Sequence, residues 1–278
     1  MEVLPGVHMI TVGESPGPGL FPPNSYLVVG SRGSVLVDAG WNRPEHIRAR
    51  LDYIRRHHPP PLAAIVVTHR HPDHVGGAGA IAQATGAPVY ASPAEREAID
   101  GVLEREGAPV RVGYTPAHGE RLDLGDRQVE FLHTPGHTLG SLSALLHPGG
   151  VLFTGDTVLG MGSTVVSPEE GDMALYMESL RTLLACGASV ICPGHGPLVR
   201  APAAKLRELL QHRLEREGQI LDALRRGPKG VEDLRREIYP EVGSHLYALA
   251  QGQIRAHLRK LEKEGRVVVR DNRYSLVG

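Results

Sequence analysis

The chain has 278 residues, of which 41% are apolar and 22% charged, a balance that supports a buried core and excludes a disordered or fibrous polymer. Its two cysteines, Cys186 and Cys192, are too few for a disulfide framework and lack metal-type spacing, so both read as free thiols of a reducing compartment. The net charge of −1 hides an asymmetry: residues 203–278 hold 16 Lys and Arg against 11 Asp and Glu, whereas residues 1–202 hold 14 against 20.

The N-terminus, Met1-Glu2-Val3-Leu4-Pro5-Gly6, lacks the basic and apolar regions of a signal peptide. No apolar run approaches the roughly 18 residues of a membrane span. These features predict a soluble, cytoplasmic protein with no membrane partner. Short runs rich in Val, Ile, Leu and Tyr, each with Gly, Pro or Asp nearby, predict strands at 25–30 and 34–38. A helix over 44–57 follows, with Pro44 at its first position. Next come a strand at 62–68, a helix over 75–84, a strand at 88–91 and a helix over 93–106 opened by Pro93. Strands at 128–133, 142–147 and 151–154, a helix over 173–186 and a strand at 189–192 complete a pattern of layered sheets flanked by helices.

Beyond Pro202 the texture changes. An amphipathic helix is expected over 203–226, broken by Gly227-Pro228-Lys229-Gly230, with further helices over 231–238 and 244–264. Two strand-like pieces, 266–270 and 273–277, flank an Asp271-Asn272 turn. Three helices and a terminal hairpin fit a winged-helix arrangement, so the boundary is drawn between a unit at 1–202 and one at 203–278. The basic balance of the second unit is a candidate docking surface for a polyanion. Interleaved Glu and Asp throughout that unit also fit ordinary solvated helix faces.

The chemistry concentrates in Thr68-His69-Arg70-His71-Pro72-Asp73-His74, directly after the strand predicted at 62–68. Three imidazoles and a carboxylate in six positions are ligands suited to zinc, manganese or iron. Downstream, Pro135-Gly136-His137, Thr154-Gly155-Asp156 and Pro193-Gly194-His195 each put one further ligand at a glycine-containing turn after a strand. Loops at one edge of a sheet can converge on a common point. Pro72 places the start of the next helix near Asp73.

The set His69-x-His71-x-Asp73-His74, His137, Asp156 and His195 resembles the metallo-β-lactamase superfamily over about residues 1–200. The resemblance implies an α/β fold, an αββα metallo-β-lactamase sandwich with a small C-terminal helical, winged-helix-like domain. It implies two divalent metal ions, zinc foremost: His69, His71 and His137 would hold the first, Asp73, His74 and His195 the second, and Asp156 would bridge them. Hydrolysis by a metal-bridging hydroxide follows from such a pair, with Asp73 also orienting the nucleophile as a weak base.

Leu159 to Val166, Tyr176-Met177, Pro193 to Pro197 and His257 to Gly265 are similar to the beta-lactamase-like-protein-2 family, whose relatives include single-strand-specific endoribonucleases. That similarity implies a phosphodiesterase acting on single-stranded RNA and allows a homodimer. A glyoxalase II-like hydrolase of small thioesters or esters is the alternative, since Asn24-Ser25-Tyr26 and Val37-Asp38-Ala39-Gly40 resemble that branch too. A DNA-binding regulator carrying a relic metal domain is disfavoured by the intact ligand set. Ser163 and Thr164 are candidate substrate contacts. Tyr176 is expected in the core, and His118 and His133 are expected in loop or core positions outside the ligand set.

Overall fold

The computed structural model describes residues 1–17, 21–108 and 110–277. One sheet runs in chain order through β1 (Glu2–Leu4), β2 (Val7–Thr11), β3 (Asn24–Val29), β4 (Ser34–Val37), β5 (Leu62–Val66), β6 (Val89–Tyr90) and β7 (Val112–Tyr114). The second contains β8 (Arg121–Asp123), β9 (Gln128–His133), β10 (Leu142–His147), β11 (Val151–Gly155) and β12 (Val190–Pro193), ordered β12-β11-β10-β9-β8. Pairing is antiparallel from β1 to β4 and from β8 to β11. It is parallel from β4 to β7 and between β11 and β12.

Alternation along the strands builds three apolar layers. Tyr26, Val28, Val35, Val37, Ala64 and Val66 meet Val129, Phe131, Ala144, Leu146 and Phe153 between the sheets. The intervening Leu27, Leu36 and Ile65 face outward, into a layer shared with residues of α1 (Pro44–His57), α3 (Ala78–Thr85) and α4 (Arg96–Arg105). On the other side Leu132, Leu145, Leu152 and Ile191 pack with Met173, Tyr176, Met177 and Leu180 of α5 (Met173–Ala185) and with Leu206 and Leu209 of α6 (Pro202–Arg225). The result is the expected helix–sheet–sheet–helix sandwich.

Two predicted helices differ in outline. The helix expected over 75–84 is divided: α2 (Pro72–Val75) opens where Pro72 placed the start, and the chain resumes as α3 after Gly76 and Gly77. A Cβ at either glycine would stand 2.5 Å from a backbone oxygen, so only glycine lets this segment lie against the chain at 39–42. The helix expected over 93–106 opens instead as a 3-10 turn at Pro93–Glu95, where the Glu95 side chain turns inward and is fully buried. Sequence reading also missed β1, β2, β7 and β8. These are short strands near the sheet edges, and His8, Arg121 and Asp123 interrupt the apolar signal.

After α6 come α7 (Val231–Ile238), α8 (Tyr247–Lys263) and the hairpin β13 (Val267–Arg270) and β14 (Arg273–Leu276). Asp271 and Asn272 join its strands at φ 49° and 58°, the left-handed pair that a tight hairpin turn needs. Ile220, Leu224, Leu234, Ile254, Leu258, Leu261 and Val267 form the small core of this winged helix. Many of its cations are paired. Lys260 and Arg266 meet Glu217, Arg235 and Arg236 meet Glu232, Arg226 and Lys229 meet Glu237, and Lys263 meets Asp172 of the sandwich.

His257 of α8 is buried, and neither ring nitrogen has a hydrogen-bond partner among the described residues. Burial, reinforced by Arg213, Lys260, His212 and Arg216, pushes its pKa down to about 3. The ring stays neutral in the fold while the unfolded chain protonates below 6.5. Stability is therefore lost as pH falls through that window, by roughly 1.4 kcal/mol per pH unit. The melting temperature should drop more between pH 7 and pH 5 in the wild type than in His257→Leu; equal drops would contradict this assignment.

Candidate metal centre

The seven predicted ligands arrive from four loops at one end of the sandwich. The loop after β5 carries His69 and His71 into α2, which holds Asp73 and His74, and His137, Asp156 and His195 follow β9, β11 and β12. Ligand atoms of His69, His71, His137 and Asp156 lie within 4.8 Å of one another, as do those of Asp73, His74 and His195.

The two groups touch. His69 Nε2 lies 2.9 Å and His137 Nε2 3.2 Å from His71 Nδ1. Within the second group His74 Nε2 stands 3.2 Å from His195 Nε2; across the boundary it is 3.3 Å from Asp156 Oδ1, and Asp156 Oδ2 is 3.9 Å from His137 Nε2. Asp156 thus presents one oxygen to each group. His195 Nε2 is also 3.2 Å from Asp73 Oδ2.

The electrostatics call for positive charge. Burial opposes a charged His74, but Asp156, Asp38 and Asp73 outweigh it and hold its pKa well above the ordinary value. His195 is raised despite burial by Asp73 and Asp156. Burial likewise opposes ionisation of Asp156 and Asp73, yet the neighbouring imidazoles hold the first well below and the second below the usual carboxylate range. His69 is driven well down by burial and then by the rings of His74, His71 and His137. His137 is lowered by burial, which outweighs the raising effect of Asp156, and His71 adds to the lowering. Neutral imidazoles beside ionised carboxylates are the protonation states that ligate metal, and a bound cation would supply the positive charge that the carboxylates favour at His74 and His195. Asp156 Oδ1 is buried without a hydrogen-bond partner among the described residues, a lone pair left for such an ion. Five imidazoles and two carboxylates fit a pair of divalent cations.

The loops themselves are tied from behind. Asp38, at φ 57° after β4, accepts from the Thr68 backbone N–H at 2.8 Å and the Thr68 hydroxyl at 2.9 Å, and meets His74 Nδ1 at 2.7 Å. Such a carboxylate fixes the imidazole tautomer. Glu95 accepts from the backbone N–H groups of Arg70 and Gly140, joining the loops that carry His71 and His137. Glu170 lies 3.1 Å from His71 Nε2. His195 Nδ1 meets the Phe21 carbonyl at 2.8 Å, and the Asn24 side chain donates to Pro193 O and Gly196 O. A Cβ on Gly194 would sit 2.5 Å from Asp156 Oδ1 and 2.7 Å from His74 Cε1, so only glycine lets the loop after β12 pass.

Residues 18–195 match the family described as Metallo-beta-lactamase superfamily. The chain belongs to the metallo-β-lactamase superfamily. Residues 231–273 match a second family, Beta-lactamase associated winged helix domain. Beta-lactamase-like protein 2 homolog of Drosophila melanogaster is 30% identical over 257 residues, covering 88% of this chain and 84% of that protein. Atrochrysone carboxyl ACP thioesterase of Aspergillus chevalieri is 30% identical over 231 residues, 81% of this chain and 67% of that protein. A metallo-beta-lactamase family protein from Thermus thermophilus superposes with a TM-score of 0.79 at 25% identity, over 99% of this chain and 100% of that one. The chain is a metal-dependent hydrolase of this superfamily.

Within this metallo-β-lactamase superfamily chain, the two candidate substrate contacts differ. The Thr164 hydroxyl is buried and donates to the carbonyls of Asp156 at 2.6 Å and Thr157 at 3.3 Å. Ser163, with Thr164, lines a cavity of about 290 Å³ shared with His212 of α6 and with Tyr239, Leu246 and Leu249 of the winged helix. Tyr176 is buried as expected, its hydroxyl donating to Thr157 O. His118 accepts from the His133 backbone N–H and His133 Nε2 meets Pro116 O, so both rings stand outside the cluster. Sequence reading missed Glu95 and Glu170 altogether. Asp38 was visible only inside the Val37-Asp38-Ala39-Gly40 run.

Proposed function

We propose that the chain is a dinuclear zinc-dependent hydrolase of small-molecule thioesters or esters with an apolar acyl group. Residues 1–202 form its catalytic unit and residues 203–278 its winged-helix unit. The observation that carries the substrate class is the rim of the cluster. Phe21, whose carbonyl meets His195, is 42% exposed, and Val165, whose carbonyl meets His137, is 38% exposed. Leu139, two residues after His137, is 51% exposed, and Met161, against Gly196, is 60% exposed. These exposed apolar residues lie on the loops that carry or hold the predicted ligands, where they offer a surface to an apolar ligand. The carboxylate of Glu170 stands 3.1 Å from His71 Nε2, which disfavours a phosphate backbone there. The thioesterase name of the Aspergillus relative supports the same reading.

Two divalent cations held by the seven residues would supply Lewis acidity to the scissile carbonyl and an ionised water at neutral pH. Asp73 Oδ2, held ionised beside His195, accepts a hydrogen bond from the attacking water and orients it. The rim seats the acyl chain and excludes bulk water from that step. Cys192 is buried with its thiol pushed up to about 12 by burial, and Cys186 is half-buried. Two unoxidised thiols suit the cytoplasm.

Cleavage of single-stranded RNA is the second reading. Arg255 and Arg259 line a groove of about 420 Å³ with Tyr274, against Pro168 and Glu169 of the segment that carries Glu170. The pairing of most other tail cations weakens this reading. The test offers metal-reconstituted protein an acyl thioester, read by thiol release, and a labelled single-stranded RNA. The His69→Ala, Asp73→Ala double variant serves as the contamination control. Thiol release by wild type alone is expected; RNA cleavage by wild type alone, without thioester turnover, would overturn the assignment.

A further inference from the structure

Arg213 of α6 is 1% exposed, and among the described residues no carboxylate pairs with it. Its Nη2 donates to Thr164 O at 2.6 Å and its Nη1 to Gln253 Oε1 at 3.1 Å, while Nε has no hydrogen-bond partner among the described residues. The guanidinium carbon lies 5.3 Å from the centre of the Tyr176 ring. A buried cation held only by neutral oxygens and a ring face costs stability that an apolar side chain would not. Its position is therefore explained by what it holds.

It holds the segment 164–166. Gln253 of α8, itself buried, donates from Nε2 to Val166 O at 3.0 Å, so two winged-helix side chains grip consecutive parts of one short stretch. That stretch reaches two predicted ligands. The Val165 carbonyl accepts from His137 Nδ1 at 2.8 Å, which leaves the Nε2 lone pair facing the cluster. The Thr164 hydroxyl clamps the Asp156 carbonyl at 2.6 Å. The Tyr176 hydroxyl closes the ring of contacts on Thr157 O.

We propose that Arg213 and Gln253 are positioning residues for the metal centre: the winged helix braces segment 164–166, which sets the tautomer of His137 and the placement of Asp156. The inference rests on the metal reading of the site. It gives the C-terminal unit a role in assembling the centre, separate from any role in binding substrate.

The experiment titrates the full-length chain with zinc in competition with a chromophoric chelator and records the cobalt(II) absorption spectrum. The variants are Arg213→Met, Arg213→Lys and Gln253→Leu. Met fills the guanidinium's space without its charge, so Arg213→Met should melt at or above the wild-type temperature. It is expected to bind the more weakly held zinc about 10- to 100-fold less tightly, with an altered cobalt spectrum. Arg213→Lys, which keeps one donor, should recover part of the loss, and Gln253→Leu should move in the same direction as Arg213→Met. Wild-type zinc affinity and cobalt spectrum in both Arg213→Met and Gln253→Leu would overturn the bracing role. A wild-type protein that takes up no zinc would instead overturn the metal reading beneath it. Should Arg213→Met fail to fold, Gln253→Leu decides alone by the same two readouts.

Discussion

Asp156→Ala should bind no more than one tightly held metal per chain and lose hydrolysis, while keeping the wild-type fold. Asp156 is the residue whose two oxygens face the two ligand groups separately, at 3.3 Å from His74 and 3.9 Å from His137. Removing it takes a ligand from both positions and brings the imidazoles of His69, His74, His137 and His195 together with less negative charge among them. Loss of an indirect partner costs about 10- to 100-fold in metal affinity, so loss of a group shared by both positions should exceed that. Elemental analysis after gel filtration checks the stoichiometry. Two tightly bound metals in this variant would remove Asp156 from the centre.

Asp38→Ala is expected to have the second largest effect, although Asp38 is not among the predicted ligands. Its carboxylate meets His74 Nδ1 at 2.7 Å and also accepts both Thr68 donors. Without it His74 can rotate or change tautomer, the start of the His69 loop loses its anchor, and a buried polar cluster is left unpaired. The expected costs are about 10- to 100-fold in metal affinity and about 3–5 kcal/mol in stability. Thermal melting with and without added zinc separates the two. A variant that melts and binds zinc like the wild type would show that neighbouring loops alone orient His74.

Contiguity explains what the sequence revealed. His69, His71, Asp73 and His74 share six positions, and the Pro72 helix start that delivers the last two is a local property of the chain. His137, Asp156 and His195 were legible because each follows a strand at a glycine-containing turn, and strand and turn chemistry are both local. Asp38, Glu95, Glu170 and Arg213 were not legible as parts of the site. Each is a single charged residue whose partner lies between 25 and 99 positions away, and only folding brings the pair together. The same limit hid the inward turn of Glu95, since helical spacing over 93–106 says nothing about the loops of His71 and His137. The basic balance of residues 203–278 gave no sign of which cations pair, because Glu217, Glu232 and Glu237 reach theirs only when the helices pack; the net excess of positive charge in that unit remains.

We propose above all that seven side chains from four loops form a single two-metal centre. Crystals soaked in zinc, with diffraction recorded on both sides of the zinc absorption edge, test it most directly. Two anomalous peaks are expected, one among His69, His71 and His137 and one among Asp73, His74 and His195, with Asp156 touching both. A single peak, or peaks away from these residues, would contradict it.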